Sequence, residues 1–154
     1  IVCGLIFDPI KNETFFAEKG SGAFFNNSRI RVSKKNKIKN SILLTGGPKF
    51  NSPKKNSIFQ EYIKISNLVD APIRKFGSAA LGMSYVAAGR FDAYWEWELN
   101  YWDIAAGIVI LKEAGGFVEF MEPGTINSIK RNVLATNSSI QGELKDALLK
   151  KNIE

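Results

Sequence analysis

Short apolar runs separated by turn residues fill the first part of the chain, up to residue 32. The segment between the first two runs, residues 8–12, contains a proline and an asparagine, which favour a tight turn. Short strands joined by such turns predict an antiparallel meander. The predicted strands are residues 1–7, 13–18, 23–25 and 30–32.

After a polar connector at residues 34–40, apolar runs with strand character alternate with segments of helical spacing. This alternation favours a layered α/β domain with a partly parallel sheet. The predicted strands are residues 41–45, 91–98, 117–121 and 132–136, and the predicted helices are residues 57–68, 79–88, 103–114 and 138–150.

Charge and composition narrow the class of protein. The 154 residues are 45% hydrophobic and 23% charged, which is ordinary for a globular domain. The net charge of +6 comes from lysines grouped at residues 34–39, at Lys54 and Lys55, and near the C-terminus. Lysines grouped in this way are typical of solvated loops, so the composition argues against nucleic-acid binding.

The chain contains no histidine and a single cysteine, Cys3. These counts exclude a Ser-His-Asp triad, a Cys-His pair, a histidine-ligated zinc site and an internal disulfide within the chain. Chemistry here must use carboxylates, hydroxyls, lysines or backbone groups. There is no apolar run of ~18 residues and no signal-peptide pattern. We therefore expect a cytoplasmic protein without a membrane span.

Two carboxylates stand out in the aromatic stretch and the helix that follows it. Asp103 lies where the predicted helix begins, a position at which aspartate often caps the first turn. Glu96 lies between Trp95 and Trp97, where burying its charge is costly unless a cationic group compensates. Helix capping remains an alternative to a functional role for Asp103.

The spacing of these residues resembles a known signature. Glu96 followed by Trp102 and Asp103, with Glu113 and Gly115 closing the helix, is similar to the C-terminal motif of the inositol monophosphatase family. Members of that family are magnesium-dependent, lithium-sensitive phosphomonoesterases. Further matches in family-like order are residues 4–9, 13–20, 22–24, 74, 77–80, 85–89 and 92–96.

The resemblance implies a layered α-β-α sandwich of the sugar-phosphatase type, represented here by its central hairpins and C-terminal α/β half. It also implies that Asp103 is a Mg²⁺ ligand and that Glu96 accepts a hydrogen bond from a substrate hydroxyl. Gly77, Ser78 and Ala79 would contact the substrate, partly through their backbone. Two alternatives stay open: Ser78 could cap its helix, and Ala79 could be small for close packing.

One apparent match to the family is misleading. Asp8, Pro9 and Ile10 begin like the first metal motif, Asp-Pro-(Ile/Leu)-Asp-Gly-Thr, but Lys11 stands where the second aspartate is required. A lysine cannot ligate Mg²⁺, so we assign Asp8 to a hairpin turn. In the family the first motif lies ahead of the region that this chain matches. We therefore expect residues 1–154 to be the C-terminal portion of such a domain and to be inactive alone.

The expected function of the parent protein is magnesium-dependent hydrolysis of a phosphate monoester by metal-activated water. Inositol-1-phosphate or a similar polyol phosphate is the leading substrate, and no residue of the chain is assigned as catalytic. The alternatives are a histidinol-phosphate phosphatase, a 3′(2′),5′-bisphosphate nucleotidase, and a non-catalytic RNA- or protein-binding module. The resemblance also implies a homodimer.

Overall fold

The computed structural model describes residues 1–47, 52–121 and 130–149, and Lys130 by its backbone alone. Within these ranges the strands form two four-stranded sheets. The strands are β1 (Cys3–Asp8), β2 (Glu13–Glu18), β3 (Gly22–Phe25), β4 (Ser28–Ile30), β5 (Leu43–Thr45), β6 (Ala93–Asn100), β7 (Gly116–Phe120) and β8 (Lys130–Asn137), and the helices are α1 (Lys55–Ser66), α2 (Ala79–Ala87), α3 (Tyr101–Glu113) and α4 (Gln141–Leu149).

The first sheet is the predicted antiparallel meander, in the order β1-β2-β3-β4. Its second strand has the predicted limits, but the fourth begins at Ser28, two residues earlier than predicted. Asn26 and Asn27 both adopt positive φ, at 41° and 67°. Two consecutive residues in this region make a two-residue hairpin turn, so pairing resumes directly after them.

The second sheet has the order β5-β6-β8-β7. Strands β5 and β6 are parallel and the other neighbours are antiparallel, which confirms a partly parallel sheet. The chain leaves β5, passes through α1 and α2, and returns as β6. This crossover brings the loops at the end of β5 and the start of α2 to the same edge of the sheet.

The two sheets and four helices form layers. Ile6 and Phe15 of the first sheet and Val133 of the second belong to one core together with α2 and α3, which therefore lie between the sheets. A second core joins the other face of the second sheet, with Trp95 and Leu134, to helices α1 and α4. The predicted layered α/β architecture is confirmed, because the second sheet is sandwiched between two helical layers.

Helix α3 begins at Tyr101, two residues before the predicted start at Asp103. Strand β6 continues as far as Asn100, which is extended and forms the N-cap, so Asp103 is the third residue of the helix. Helix α1 likewise begins and ends two residues earlier than predicted, at Lys55 and Ser66.

Two other limits also differ from the prediction. Helix α4 begins at Gln141 rather than at residue 138, because the Asn137 side chain accepts hydrogen bonds from the N–H groups of Ser139 and Ile140 and holds a turn there. Its predicted end at Lys150 lies outside the described residues. The connector at residues 34–40 contains a short 3-10 turn with a buried Ile38. No helix in the described ranges is long and apolar enough to cross a membrane.

Candidate active site

A small pocket lies where the loop after β5, the loop before α2 and strand β6 meet. Three of the residues predicted to act on substrate, Gly77, Ser78 and Glu96, lie on its wall, whereas Ala79 and Asp103 do not. The pocket is lined by Leu44, Thr45, Gly46, Phe76, Gly77, Ser78, Gly82, Tyr94 and Glu96.

Backbone hydrogen bonds hold these loops together. The Thr45 N–H donates to the Arg74 carbonyl at 3.0 Å, and the Arg74 N–H donates to the Leu43 carbonyl at 2.9 Å. The Thr45 hydroxyl donates to the Trp95 carbonyl at 2.9 Å and accepts from the Gly47 N–H at 3.1 Å. The pocket wall is therefore tied to the end of β5 and to β6 by buried polar contacts, which favour a fixed geometry.

Glu96 is half-buried on β6 and has a tyrosine as hydrogen-bond partner. The Tyr94 phenol, two residues earlier on the same side of the strand, donates to the Glu96 carboxylate. Gly46 packs against this carboxylate so closely that a Cβ at position 46 would lie 2.0 Å from Glu96 Cδ. A side chain at residue 46 would therefore displace Glu96 from the pocket.

The sequence argument required a compensating group for the burial of Glu96, and the Tyr94 phenol donates a hydrogen bond to its carboxylate. Burial, followed by the negative charge of Glu96 and their hydrogen bond, raises the pKa of Tyr94 well above its ordinary value of 10.0. Tyr94 therefore stays protonated and keeps its proton available for Glu96. The charge of Asp103 acts in the same direction on Tyr94.

Asp103 caps the start of α3 from inside the first turn. Its Oδ2 atom accepts a hydrogen bond from the Asn100 N–H at 3.2 Å, whereas its Oδ1 atom accepts none from the residues that the structure describes. The prediction that Asp103 opens the helix is therefore wrong in position but correct in that the side chain caps the helix. A carboxylate in the first turn is also stabilised by the helix dipole.

The strand that carries Glu96 is irregular immediately after it. Pairing between β6 and β8 shifts register between Glu96 and Leu99, and Glu98 in this bulge has a φ of 58°. A bulge changes the direction of the strand and is common beside functional sites. Here it lies between the strand position of Glu96 and the helix position of Asp103.

The test for a metal site gives a partial fit. Asp103 offers a carboxylate oxygen free of hydrogen bonds from the described residues, the ligand type that Mg²⁺ prefers. Among the described residues, however, there is no group of three or more His, Cys, Asp or Glu side chains that could hold a metal ion. The described residues therefore offer one carboxylate oxygen suited to a divalent cation, and they do not by themselves form a complete metal site.

The remaining predicted substrate contacts also have structural duties. Ser78 is the N-cap of α2, and its hydroxyl accepts a hydrogen bond from the Leu81 N–H at 3.3 Å. Ala79 is buried in the core between the sheets. Gly77 has a φ of +77°, a backbone conformation that favours glycine. The capping role of Ser78 and the packing role of Ala79 are thus both observed, whatever these residues also contact.

Asp8, the residue at the misleading motif, behaves as a turn residue. Its Oδ1 atom accepts hydrogen bonds from the N–H groups of Ile10 at 3.0 Å and Lys11 at 3.3 Å. This geometry confirms the assignment of Asp8 to the hairpin between β1 and β2.

Among the pocket residues that sequence reasoning missed are Tyr94, Gly46 and Thr45. A signal for Tyr94 was present, since residues two apart on a strand share a face. Gly46 and Thr45 lie 50 residues from Glu96 and Trp95, and their proximity depends on the parallel pairing of β5 with β6. That pairing could not be read from the local pattern.

Known proteins resemble this chain in sequence and in fold. The family model described as "Inositol monophosphatase family" matches residues 1–153. The chain is 37% identical to the inositol-1-monophosphatase of Caulobacter vibrioides over 96% of this chain and 58% of the relative. It is 41% identical to the Nus factor SuhB of Haemophilus influenzae over 92% of this chain and 52% of the relative.

A solved structure shares the fold. The extragenic suppressor protein suhB of Bartonella henselae superposes with a TM-score of 0.88 at 45% identity. The match covers 97% of this chain and 57% of the suhB chain. The chain spans a little more than half the length of the relatives that it matches. This chain belongs to the inositol monophosphatase family.

Proposed function

We propose that the protein containing this chain is a magnesium-dependent phosphatase that hydrolyses a phosphate monoester, inositol-1-phosphate or a similar polyol phosphate. The observation that carries the proposal is the pocket in which Glu96, Gly77 and Ser78 meet, with Asp103 acting electrostatically on its Tyr94 wall. Membership of the inositol monophosphatase family supports the reaction class.

In this proposal Glu96 accepts a hydrogen bond from a hydroxyl of the substrate. The Tyr94 phenol and the Gly46 backbone fix the carboxylate in place, so that it is presented in one orientation. Gly77 and the N-cap Ser78 precede α2, and Ala79 begins its first turn, where N–H groups lack partners within the helix and can donate to substrate oxygens.

Asp103 would hold Mg²⁺ through the oxygen that accepts no hydrogen bond from the described residues. When bound, magnesium neutralises charge on the phosphate and increases the acidity of a coordinated water. The capping contact with Asn100 keeps the Asp103 carboxylate oriented by the start of the helix.

We propose further that the 154 residues are the C-terminal portion of a larger domain and that its remaining part supplies the other metal ligands. The term "family-length protein" is used below for this chain together with that remaining part. Because Asp103 is a single ligand, the 154 residues alone are expected to be inactive. The same proposal holds that the family-length protein is a cytoplasmic homodimer.

The closest alternatives within the class are histidinol phosphate and 3′(2′),5′-bisphosphate nucleotides as substrates. A carboxylate that accepts from a hydroxyl suits a polyol better than a nucleotide phosphate, because a second anionic group near Glu96 would be repelled. This preference rests on Glu96.

The test is phosphate release by the family-length protein from inositol-1-phosphate, histidinol phosphate and a 3′,5′-bisphosphate nucleotide, with Mg²⁺ and with a chelator. The proposal predicts magnesium-dependent release, fastest from inositol-1-phosphate. An absence of release from all three substrates in the presence of Mg²⁺ would contradict phosphatase function. Faster release from one of the other two substrates would support phosphatase function and would identify that compound as the preferred substrate.

A non-catalytic binding module is the second candidate. One relative carries the name Nus factor SuhB rather than the name of a phosphatase, and the chain has a net charge of +6. Binding of this kind through lysines would weaken steeply with salt. Measurement of RNA binding by the 154-residue chain between 50 and about 200 mM salt tests it; no binding at low salt would reject it for RNA.

A further inference from the structure

Phe76 is a large apolar side chain that stays exposed on the wall of the pocket. It is 53% exposed, and it lines the pocket together with Glu96, Gly77 and Ser78. A single exposed apolar side chain is common on protein surfaces and by itself needs no explanation. Phe76 differs in two respects: its neighbours hold its ring in place, and it shares the pocket wall with the carboxylate proposed to bind a substrate hydroxyl.

Two aromatic rings hold Phe76 in position. Its ring meets that of Tyr85 at 85° with the centroids 5.8 Å apart, and that of Phe91 at 73° with the centroids 5.6 Å apart. Such T-shaped contacts are favourable because the positive edge of one ring meets the negative face of the other. The ring of Phe76 is therefore fixed by two neighbours, although about half of the residue is exposed to solvent.

Tyr85 is itself anchored to the first sheet. It is 3% exposed, and its ring packs against Phe15 of β2 with the centroids 5.9 Å apart. Its phenol oxygen accepts a hydrogen bond at 2.7 Å from Nζ of Lys11, which lies in the turn between β1 and β2. A substrate that touches Phe76 therefore meets a surface already in place, which lowers the entropic cost of binding.

Phe76 and Glu96 offer the two kinds of contact that a cyclic polyol requires. The hydroxyl groups of such a molecule lie around the rim of its ring, where a carboxylate can accept a hydrogen bond. Its C–H groups are polarised by the attached oxygens and lie on the faces of the ring, where the negative face of an aromatic ring attracts them. An acyclic polyol has the hydroxyl groups but no fixed ring face. A pocket wall that carries both a carboxylate and an exposed aromatic ring therefore favours the cyclic compound.

We propose that Phe76 is a specificity-determining residue, whose ring contacts the C–H face of a cyclic polyol phosphate while Glu96 accepts a hydrogen bond from a hydroxyl on its rim. This inference rests on the proposed phosphatase function and narrows its substrate class from polyol phosphates to cyclic ones. Release of phosphate from an acyclic substrate tests the reaction separately from the role of Phe76.

The experiment measures phosphate release by the family-length protein from inositol-1-phosphate, a cyclic polyol phosphate, and from glycerol-2-phosphate, an acyclic one. Phe76→Ala removes the ring, and Phe76→Leu keeps an apolar side chain without an aromatic face. The matched control is Phe59→Ala on α1, because Phe59 is 52% exposed and is not among the residues that line the pocket. Circular dichroism establishes that each variant is folded.

We expect Phe76→Ala to lower kcat/KM for inositol-1-phosphate about tenfold or more. The change should lie mainly in a higher KM, because the bound substrate and the transition state both contact the ring. For glycerol-2-phosphate, kcat/KM should change by less than about twofold, since that substrate has no ring face to lose. Phe76→Leu should give an intermediate loss with inositol-1-phosphate, and Phe59→Ala should leave both substrates unaffected.

An equal fall with both substrates would contradict the proposal, because the lost contacts with Tyr85 and Phe91 would then account for it. Unchanged kinetics with inositol-1-phosphate in Phe76→Ala would show that the ring does not touch the substrate. A larger fall with histidinol phosphate than with inositol-1-phosphate would assign the ring to an aromatic substrate instead. If Phe76→Ala does not fold, Phe76→Leu decides by the same ratio between the cyclic and the acyclic substrate.

A failure of the proposed function gives a different result. If the unchanged protein releases phosphate from neither substrate, both phosphatase function and the role of Phe76 are contradicted. If it releases phosphate from both and the ratio between them does not depend on Phe76, the phosphatase function stands and the inference about Phe76 alone is overturned.

Discussion

The two ends of α3 each carry a carboxylate from the family signature, and the two are bonded differently. At the C-terminal end, both oxygens of Glu113 accept hydrogen bonds, from the N–H groups of Gly20 and Gly22 at 2.9 Å each. At the N-terminal end, Asp103 accepts one hydrogen bond from the residues that the structure describes, that of the Asn100 N–H to its Oδ2 atom. The carboxylate with both oxygens engaged is suited to structure, and the one whose Oδ1 atom accepts no hydrogen bond within the described ranges is suited to a ligand.

The electrostatic consequences also differ. The hydrogen bonds from Gly20 and Gly22 lower the pKa of Glu113 below its ordinary value of 4.5, because they stabilise the ionised carboxylate. Glu113 thereby ties the turn between β2 and β3 to the end of α3. Asp103 instead contributes its charge to the environment of Tyr94 in the pocket. A shared motif therefore does not imply a shared role.

The largest effect on phosphate release is expected from a substitution at the N-terminal end of α3. Asp103→Asn in the family-length protein keeps an acceptor for the Asn100 N–H but removes the charge that would bind Mg²⁺. We expect kcat/KM for phosphate release to fall at least about a hundredfold with an unchanged Tm. A loss of Tm comparable to that of a core variant would show that Asp103 is structural, like Glu113.

The next largest effect is expected from a substitution in the pocket, which tests substrate binding separately from metal binding. Gly46→Ala places a Cβ 2.0 Å from Glu96 Cδ and must displace that carboxylate. We expect KM for inositol-1-phosphate to rise about tenfold, with the Mg²⁺ dependence unchanged. The matched control is Gly142→Ala on α4, where a Cβ meets nothing within 4 Å; equal effects of the two changes would contradict the role of Glu96.

At the C-terminal end we expect an effect on stability. Glu113→Gln weakens the hydrogen bonds to Gly20 and Gly22, and should lower the Tm of the 154-residue chain at pH 7 by about 2–5 °C. Because the folded pKa of Glu113 is lowered, its contribution is full above the unfolded value of 4.5 and is lost as pH falls through the folded value. The Tm difference between the two proteins should therefore shrink below pH 4.5; a difference that stays constant with pH would contradict this origin.

The smallest effect is expected at the misleading motif. Asp8→Asn keeps an oxygen that can accept from Ile10 and Lys11, so the turn survives. Phosphate release and its Mg²⁺ dependence should stay within about twofold of the unchanged protein. A weakened response to Mg²⁺ would mean that Asp8, and not Asp103 alone, takes part in metal binding.

The sequence predicted correctly those features that depend on residues close together in the chain. The meander and the limits of β2 follow from local alternation and turn residues, and the structure confirms them. The start of α3 was misplaced because Asn100, the last residue of a strand, also caps the helix.

The pocket was less accessible to sequence reasoning. Glu96, Gly77 and Ser78 were named through the family resemblance, and the structure places them on one wall. The contact of Gly46 with Glu96 depends on a parallel pairing between β5 and β6 that spans 50 residues. The difference between Glu113 and Asp103 depends on which backbone N–H groups reach each oxygen, and no local pattern encodes that.

The most direct test of this difference is a Mg²⁺ titration of phosphate release by the family-length protein and by its Asp103→Asn and Glu113→Gln variants. The account predicts that Asp103→Asn raises the Mg²⁺ concentration needed for half-maximal activity at least about tenfold, or abolishes the response. Glu113→Gln should leave that concentration unchanged. Equal shifts in the two variants, or a shift in Glu113→Gln alone, would contradict the assignment of Asp103 as the metal ligand.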